Sequence, residues 1–475
     1  MKRIVTDIDY TDSPYFTWKA GNLCPLKEVP HIPGLSANLF DYQRPAVERC
    51  VHAFQTNRLH ILGDTMGIGK TPQGLQIARL STHQTARTLT LCQANSRGML
   101  EDHFKPWFGD GRPVQCVYSS KDKVDPEAHI VTSYSLASKT LDKVGDVDFT
   151  ILDECHNLAN HETQQTRASI DYLREQTSPI LGMSGTPVKK CPIDLWALLY
   201  HFGPRWAHMP YRQFAEYYCQ PYTNPKDGRW IVQGFRRTNE LYFNLRSTCL
   251  TRRRVEEVRD DLPQPKFSFA HIEPDGSMKA ELTTETELFD KKSTADTTNW
   301  SKGDYARTRK NLAMLKLDHV VNLTENALKT NEKVCVFCHT TDLAKALKEK
   351  LAHYGAVEVI GQTPAKTRDV HVKRFQTNPK CRVFIGNIVA AGTAITLTAS
   401  NVTIMAESSW LPNENDQVFG RTRRHGQTKQ TYVVFVVIRG SLDETVLEKS
   451  YGKKQGVDLS IDAIGDPEWT QSIHT

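Results

Sequence analysis

The chain has 475 residues, of which 24% are charged and 39% hydrophobic, with a formal net charge of +6. That length allows two or three domains with their own cores, and that composition is the ordinary one of a folded, water-facing protein. No run of about 18 apolar residues occurs and the N-terminus lacks the apolar core of a signal peptide, so a membrane protein and a secreted one are both excluded as expectations.

The mild positive charge permits a polyanionic partner without requiring one. Eleven cysteines without a repeated spacing suit a reduced, intracellular compartment, cytoplasm or nucleoid or nucleus. Cys335-Val336-Phe337-Cys338-His339 matches a haem-attachment spacing. It lies in an apolar strand, however, where positions three apart face opposite sides.

In chain order, residues 1–38 carry Tyr15, Phe16, Trp18 and the prolines Pro25, Pro30 and Pro33, and are expected as a small hairpin or arm. From Asp41, the residues Tyr42, Ala46, Val47, Cys50, Val51 and Phe54 form one apolar helical stripe. The apolar run Leu59–Leu62 then leads into Gly63-Asp64-Thr65-Met66-Gly67-Ile68-Gly69-Lys70-Thr71 and a helix over 73–80. Strand, glycine-rich turn and helix are the context of a phosphate-binding loop. Gly67 and Gly69 let the backbone wrap a phosphate, Lys70 reaches its β and γ groups, and the Thr71 hydroxyl holds Mg²⁺. Asp64 occupies the place of the first glycine of the strict pattern.

Five further apolar segments follow at α/β spacing: 88–92, 114–118, 129–134, 148–152 and 179–183. They predict a mostly parallel sheet covered by helices. Asp153-Glu154-Cys155-His156 stands directly after one of them. A carboxylate at that end of a strand is placed to hold Mg²⁺, with Glu154 beside it to orient and deprotonate water. Residues 191–250 become aromatic, basic and irregular. A second series of strands is predicted at 333–338, 357–360, 382–386, 402–406 and 431–438, with a helix capped by Thr341 and stopped by Gly355. This second series has no phosphate-binding loop.

Asp-Glu-x-His after such a loop resembles the helicase-like ATPases of superfamily two. Asp64-Thr65-Met66-Gly67-Ile68-Gly69-Lys70-Thr71 resembles the Asp-Glu-Met-Gly-Leu-Gly-Lys-Thr of Swi/Snf-type DNA translocases, with Thr65 in place of the glutamate. Leu39–Gln43 resembles their entry motif, 130–134 their DNA-backbone segment, and Ser184-Gly185-Thr186-Pro187 their coupling element. Leu250–Val255, running on to Leu262-Pro263, resembles their Arg-Arg passage between lobes. Gln417-Val418-Phe419-Gly420-Arg421-Thr422-Arg423-Arg424-His425-Gly426-Gln427 resembles Gln-x-x-x-Arg-x-x-Arg-x-Gly-Gln. Phe214–Cys219, Trp230, Gly234 and 239–241 resemble the annealing-helicase (HARP-like) subgroup.

The resemblance implies an α/β fold of two RecA-like lobes, 39–264 and 265–451, with an ATP site at their interface and a tail over 452–475. It implies ATP and Mg²⁺ held by Gln43, Gly67, Ile68, Gly69, Lys70, Thr71 and Asp153, with Glu154 activating water. Arg421 and Arg424, three apart and so on one helical face, would reach the γ-phosphate. Ser133, Tyr134 and Thr396 would touch DNA, while His156, Ser184, Thr186, Gln417 and Gln427 would couple hydrolysis to movement. Trp410 is open to either packing or contact. The implied activity is ATP-driven translocation on duplex or forked DNA by a monomer, with fork remodelling or annealing as its outcome. An RNA-stimulated helicase or restriction-type motor, and a non-hydrolysing ATP-gated scaffold, are the alternatives.

Overall fold

The computed structural model describes Trp18–Lys19, Asn22–Leu23 and residues 31–461, apart from 84–85, 226, 260, 263, 277, 280–281, 283–301, 392–394 and 425. The two short segments pair antiparallel as β1 and β2, the hairpin expected of the arm. The rest divides into two compact units, one reaching Val258 and including the last turns of the final helix from Gly456, the other spanning Arg259–Gln455.

The first unit is built on a seven-stranded sheet. Its strands are β3 (Leu59–Leu62), β4 (Thr88–Cys92), β5 (Val114–Cys116), β6 (His129–Ser133), β7 (Phe149–Asp153), β8 (Ile180–Met183) and an edge strand, β11 (Leu250–Thr251). They lie in the order β11-β3-β8-β7-β4-β6-β5, and every pairing is parallel. A parallel sheet must be covered on both faces, which is why β3, β4, β6 and β8 are buried along their whole length. One face is covered by α1 (Arg44–Ala53), α2 (Lys70–Leu80) and α3 (Arg97–Trp107), through Val47, Leu75, Ile77 and Phe104. α4 (Ala137–Thr140) and α5 (Gln164–Glu175) contribute Ala137, Ile170 and Leu173 to the core of the other.

The stretch expected as irregular, 191–250, is largely regular. It folds into α6 (Trp196–Phe202), α7 (Tyr211–Tyr218), a hairpin of β9 (Tyr222–Thr223) with β10 (Trp230–Ile231), and α8 (Thr238–Thr248). Trp206, Phe214, Tyr218 and Leu245 are buried in the same core as α5. Its aromatic text is packing against the sheet, arranged by short helices whose periodicity the many aromatic and basic residues obscure.

The second unit has a six-stranded, wholly parallel sheet. Its strands are β12 (Lys266–Ile272), β13 (Val334–Cys338), β14 (Val357–Val359), β15 (Val383–Asn387), β16 (Val402–Met405) and β17 (Tyr432–Ile438), in the order β12-β17-β16-β13-β15-β14. β12 was not anticipated, although Phe267-Ser268-Phe269 alternates as a strand edge should. It pairs with β17 over all seven residues. Cys335 and Cys338 face separate cores, as positions three apart on a strand must. The helix after β13 spans Thr341–Lys350, with Thr340 rather than Thr341 at the N-cap position and a short turn through Tyr354 before Gly355. The final helix runs Leu442–Ile461, so residues 452–461 are helix and not tail. No helix among the described residues is long and apolar enough to cross a membrane.

Candidate active site

Sheet order decides what meets what. β8 lies between β3 and β7, so the three loops leaving their carboxyl ends stand side by side. These loops are Gly63–Gly69, Asp153–His156 and Ser184–Pro187. β11 pairs with β3 on the other side, Leu250 against Ile61 and Thr251 against Leu62, which places Arg252–Val255 beside the base of the first loop.

In that loop Gly67 and Gly69 take φ of 91° and 83°, left-handed values that a side chain would resist. Lys70, the first residue of α2, donates its amine to the carbonyls of Asp64 (2.8 Å) and Thr65 (3.4 Å). It also lies against Gly185, where an added Cβ would stand 3.3 Å from its Nζ. Burial pulls the Lys70 pKa down, opposed by Glu154, Asp64 and Asp153. Gln43 is buried and clasps the loop, its amide donating to the Ile68 carbonyl (2.8 Å) and, more loosely, to that of Gly69 (3.4 Å), while its oxygen accepts from Phe40 N (3.0 Å). Thr71 is half-buried beside Lys70 in the first turn of α2.

Asp64 is the reason the strict pattern can lack its first glycine. Its carboxylate is fully buried and accepts from Arg253 at the backbone N (3.0 Å), at Nε (3.2 Å) and at Nη2. Arg253 also donates to Gln73 (3.0 Å) and to the Tyr42 carbonyl. Arg252 donates to the carbonyls of Gly63 (2.6 Å) and Gly185 (3.0 Å). Thr65, which stands where the related loops carry glutamate, accepts from Val255 N at 2.7 Å. The arginine passage therefore braces the base of the glycine loop. Sequence reading marked Asp64 and the arginines separately and could not pair residues 189 positions apart.

Across β8, Glu154 follows the end of β7 in a left-handed conformation, φ 51°, uncommon for a residue with a side chain. Ser184 Oγ donates to Glu154 Oε2 (3.1 Å) and accepts from Thr186 N (3.0 Å). His156 Nδ1 lies 2.8 Å from the same hydroxyl. Since that hydroxyl already donates to Glu154, Nδ1 carries the proton and donates to it. Burial holds the His156 pKa down at about 4, so the ring is neutral. The Thr186 hydroxyl oxygen is buried and has no hydrogen-bond partner among the described residues. His156 and Ser184, expected as coupling residues, thus meet at Glu154, while Thr186 reaches the same serine hydroxyl through its backbone N.

Asp153 ends β7, and burial together with the neighbouring Glu154 charge pushes its pKa up to about 7. Two adjacent carboxylates, Asp153 opposed by Lys70, form a donor set that a divalent cation suits. The residues present therefore fit Mg²⁺, and the loop with Lys70 fits the phosphates of ATP.

Ser133 and Tyr134, expected to touch DNA, are corrected by burial. Ser133 is 1% exposed and Tyr134 3%. The Tyr134 hydroxyl donates to the Asp153 carbonyl at 2.9 Å, so this side chain steadies the acidic loop.

In the second unit, the helix Pro412–Thr422 carries half-buried Gln417 and ends with Arg421 in its last turn. Arg424 lies beyond the helix end, so the two arginines do not share a helical face as expected. The helix stops because other partners capture its last carbonyls: Leu397 N takes that of Arg421 (2.9 Å) and Gln427 Nε2 that of Thr422 (3.1 Å). Arg421 is buried, whereas Arg424 is half-buried and donates to the Gly420 carbonyl (3.0 Å) and to Thr396 Oγ1 (3.1 Å). Thr396 accordingly positions an arginine. Gln427 is a buried staple, donating also to the carbonyls of Thr398 and Ser400. Trp410 packs on the second unit's core.

Residues 42–325 match the SNF2-related domain, and residues 315–426 match the helicase conserved C-terminal domain. The chain belongs to the SNF2-related family. It is similar to the SWI/SNF-related matrix-associated actin-dependent regulator of chromatin subfamily A-like protein 1 of Xenopus tropicalis, 27% identical over 86% of this chain and 43% of that protein. It is also similar to the human DNA annealing helicase and endonuclease ZRANB3, 24% identical over 86% of this chain and 39% of that one. The chain thus spans less than half the length of these two SNF2-related proteins. Among solved structures, the SWI2/SNF2 ATPase core of Sulfolobus solfataricus in complex with double-stranded DNA is similar at 20% identity, covering 91% of this chain and 97% of that one, with a TM-score of 0.44.

Proposed function

We propose that this SNF2-related chain is a DNA-dependent ATPase that translocates on duplex or forked DNA, with fork remodelling or strand annealing as the outcome. The observation that carries the reading is the meeting of Glu154, Ser184 and His156 beside Lys70 and Asp153. A scaffold that only bound nucleotide would have no use for a carboxylate oriented by a serine hydroxyl. Membership of the SNF2-related family and the likeness to the DNA annealing helicase and endonuclease ZRANB3 support the choice of DNA.

In this reading the loop N–H groups and Lys70 hold the β and γ phosphates, and Lys70 exchanges its loop carbonyls for phosphate oxygens. Gln43, which holds the loop at the Ile68 carbonyl, would read adenine once its amide leaves that carbonyl. Thr71 and Asp153 would hold Mg²⁺, which supplies charge neutralisation at the phosphates. Glu154 accepts the proton of the attacking water, its carboxylate kept in place by the Ser184 hydroxyl. Arg424 and Arg421 are proposed to complete the site from the second unit, stabilising negative charge as the γ-phosphate leaves. Movement along DNA would follow from this two-unit closure and would depend on the phosphate backbone more than on base sequence.

The test is ATP hydrolysis with no nucleic acid, single-stranded DNA, duplex, fork and RNA, with Lys70→Ala as the blank. Strong stimulation by duplex or fork, lost in the blank and in Glu154→Gln, is the expected result. Stimulation by RNA alone would overturn the assignment to DNA, and no turnover on any polymer would favour the scaffold.

A further inference from the structure

A cleft of about 580 Å³ opens on the surface of the first unit, lined by Gln213, Glu216, Tyr217, Arg236 and Arg237. It is formed by α7 and the segment joining β10 to α8, elements far along the chain from the glycine loop. We infer that this cleft binds an unpaired nucleic-acid strand, with Tyr217 and Arg237 as a stacking platform and Arg236 as its phosphate contact. The inference deepens the proposed function and rests on it.

Charge is the first argument. Residues 205–237 hold six arginines and lysines against two carboxylates, so 33 residues carry most of the excess positive charge of a chain whose net charge is +6. The carboxylates at the cleft are already engaged. Glu216 accepts from Arg212 at 3.0 Å, and Glu240 accepts from the Tyr217 hydroxyl (3.0 Å) and faces Arg237 at 3.7 Å. Arg236 is exposed, and among the described residues no carboxylate pairs with it. Its backbone N donates to the Tyr218 carbonyl at 2.8 Å, which anchors the arginine at the rim.

Geometry is the second. The Arg237 guanidinium lies 3.8 Å from the centroid of the Tyr217 ring, and the Tyr217–Glu240 hydrogen bond holds that ring. A tyrosine and an arginine plane in contact form a surface on which a base stacks without sequence preference. The cleft's volume is that of one or two nucleotides and not of a duplex, and a base can stack only when its own partner strand has left it. A junction where duplex meets single strand supplies such a base.

The experiment uses the full chain and fluorescence anisotropy with an oligothymidylate of roughly a dozen nucleotides, a fork with one unpaired arm, and a blunt duplex, over a range of salt. Arg236→Gln changes an exposed side chain, and an unchanged thermal midpoint verifies its fold. It should weaken binding of the oligothymidylate and the fork by roughly 3- to 10-fold and lower the single-strand salt slope by about 0.7. Tyr217→Phe keeps the ring, removes its hydroxyl bond and should lose less than Tyr217→Ala. Unchanged single-strand affinity in Arg236→Gln would overturn the site, as would an equal loss on blunt duplex. If wild-type ATPase responds to no DNA, the translocase reading falls, while the binding arms still decide the cleft.

Discussion

Asp64 and Arg253 form a buried pair between a loop and an edge strand, and their placement shows how a residue that breaks a motif can be integral to the site. Two guanidinium nitrogens and one backbone N–H satisfy a carboxylate with no solvent contact, which makes the cost of desolvating it tolerable. The pair holds the base of the glycine loop against β11 and reaches α2 through Gln73. Arg253→Ala would leave Asp64 charged and alone in the interior. Its unfolding free energy should fall by about 3–5 kcal/mol, measured by urea denaturation, and the KM for ATP should rise because the loop loses its brace. A loss below about 1 kcal/mol would mean that solvent reaches the pair.

At the scale of the element, β3 is a strand whose burial has consequences for acid stability. His60 on it is 3% exposed, bonded through Nε2 to Thr251 Oγ1 at 2.9 Å, and burial holds its pKa down at about 3. In the unfolded chain the ring protonates near pH 6.5. Between about pH 6.5 and the folded pKa the unfolded state therefore binds more protons, so this contribution is complete above the unfolded pKa and is lost as pH falls. His156, held at about 4, acts in the same direction. Asp153, pushed up to about 7, acts in the opposite one, since the folded protein holds a proton that the unfolded chain releases from about pH 3.9 upward. A comparison isolates the histidine: in His60→Asn, unfolding free energy between about pH 6.5 and 4.5 should change less steeply than in wild type, by up to about 1.4 kcal/mol per pH unit. Equal slopes would show that His60 takes up its proton in place.

At the scale of the molecule, the glycine loop and acidic loop belong to one unit and the two expected arginines to the other. Nucleotide binding should then be separable from turnover. Arg424→Ala should leave the affinity for ATP within a few-fold and lower kcat about 10³-fold or more if the arginine meets the γ-phosphate. Burial separates its neighbour: Arg421 is enclosed at the helix end, so Arg421→Ala should lose stability as well as turnover. Single-turnover kinetics with direct ATP-binding titration checks both variants. Full turnover in Arg424→Ala would remove it from the site.

The sequence by itself determined the alternation of buried strands and helices, the glycine loop, the acidic loop and the asymmetry between two α/β series. These are local: they follow from runs of apolar residues, from glycines at left-handed positions and from carboxylates just past a strand. Strand ends shifted by a residue or two, and β12 was hidden because exposed Lys266 and Ser268 and its half-buried neighbours break up the apolar run that marks the other strands. What only the tertiary structure decided was non-local. The order β11-β3-β8-β7 set Arg253 against Asp64 and Ser184 against Glu154. Capture of the helix-end carbonyls by Leu397 and Gln427 separated Arg421 from Arg424. Burial turned Tyr134 from an expected DNA contact into a support for Asp153. A residue's partner across a sheet depends on which strands become neighbours, and the free energy of packing both faces of the sheet chooses that order.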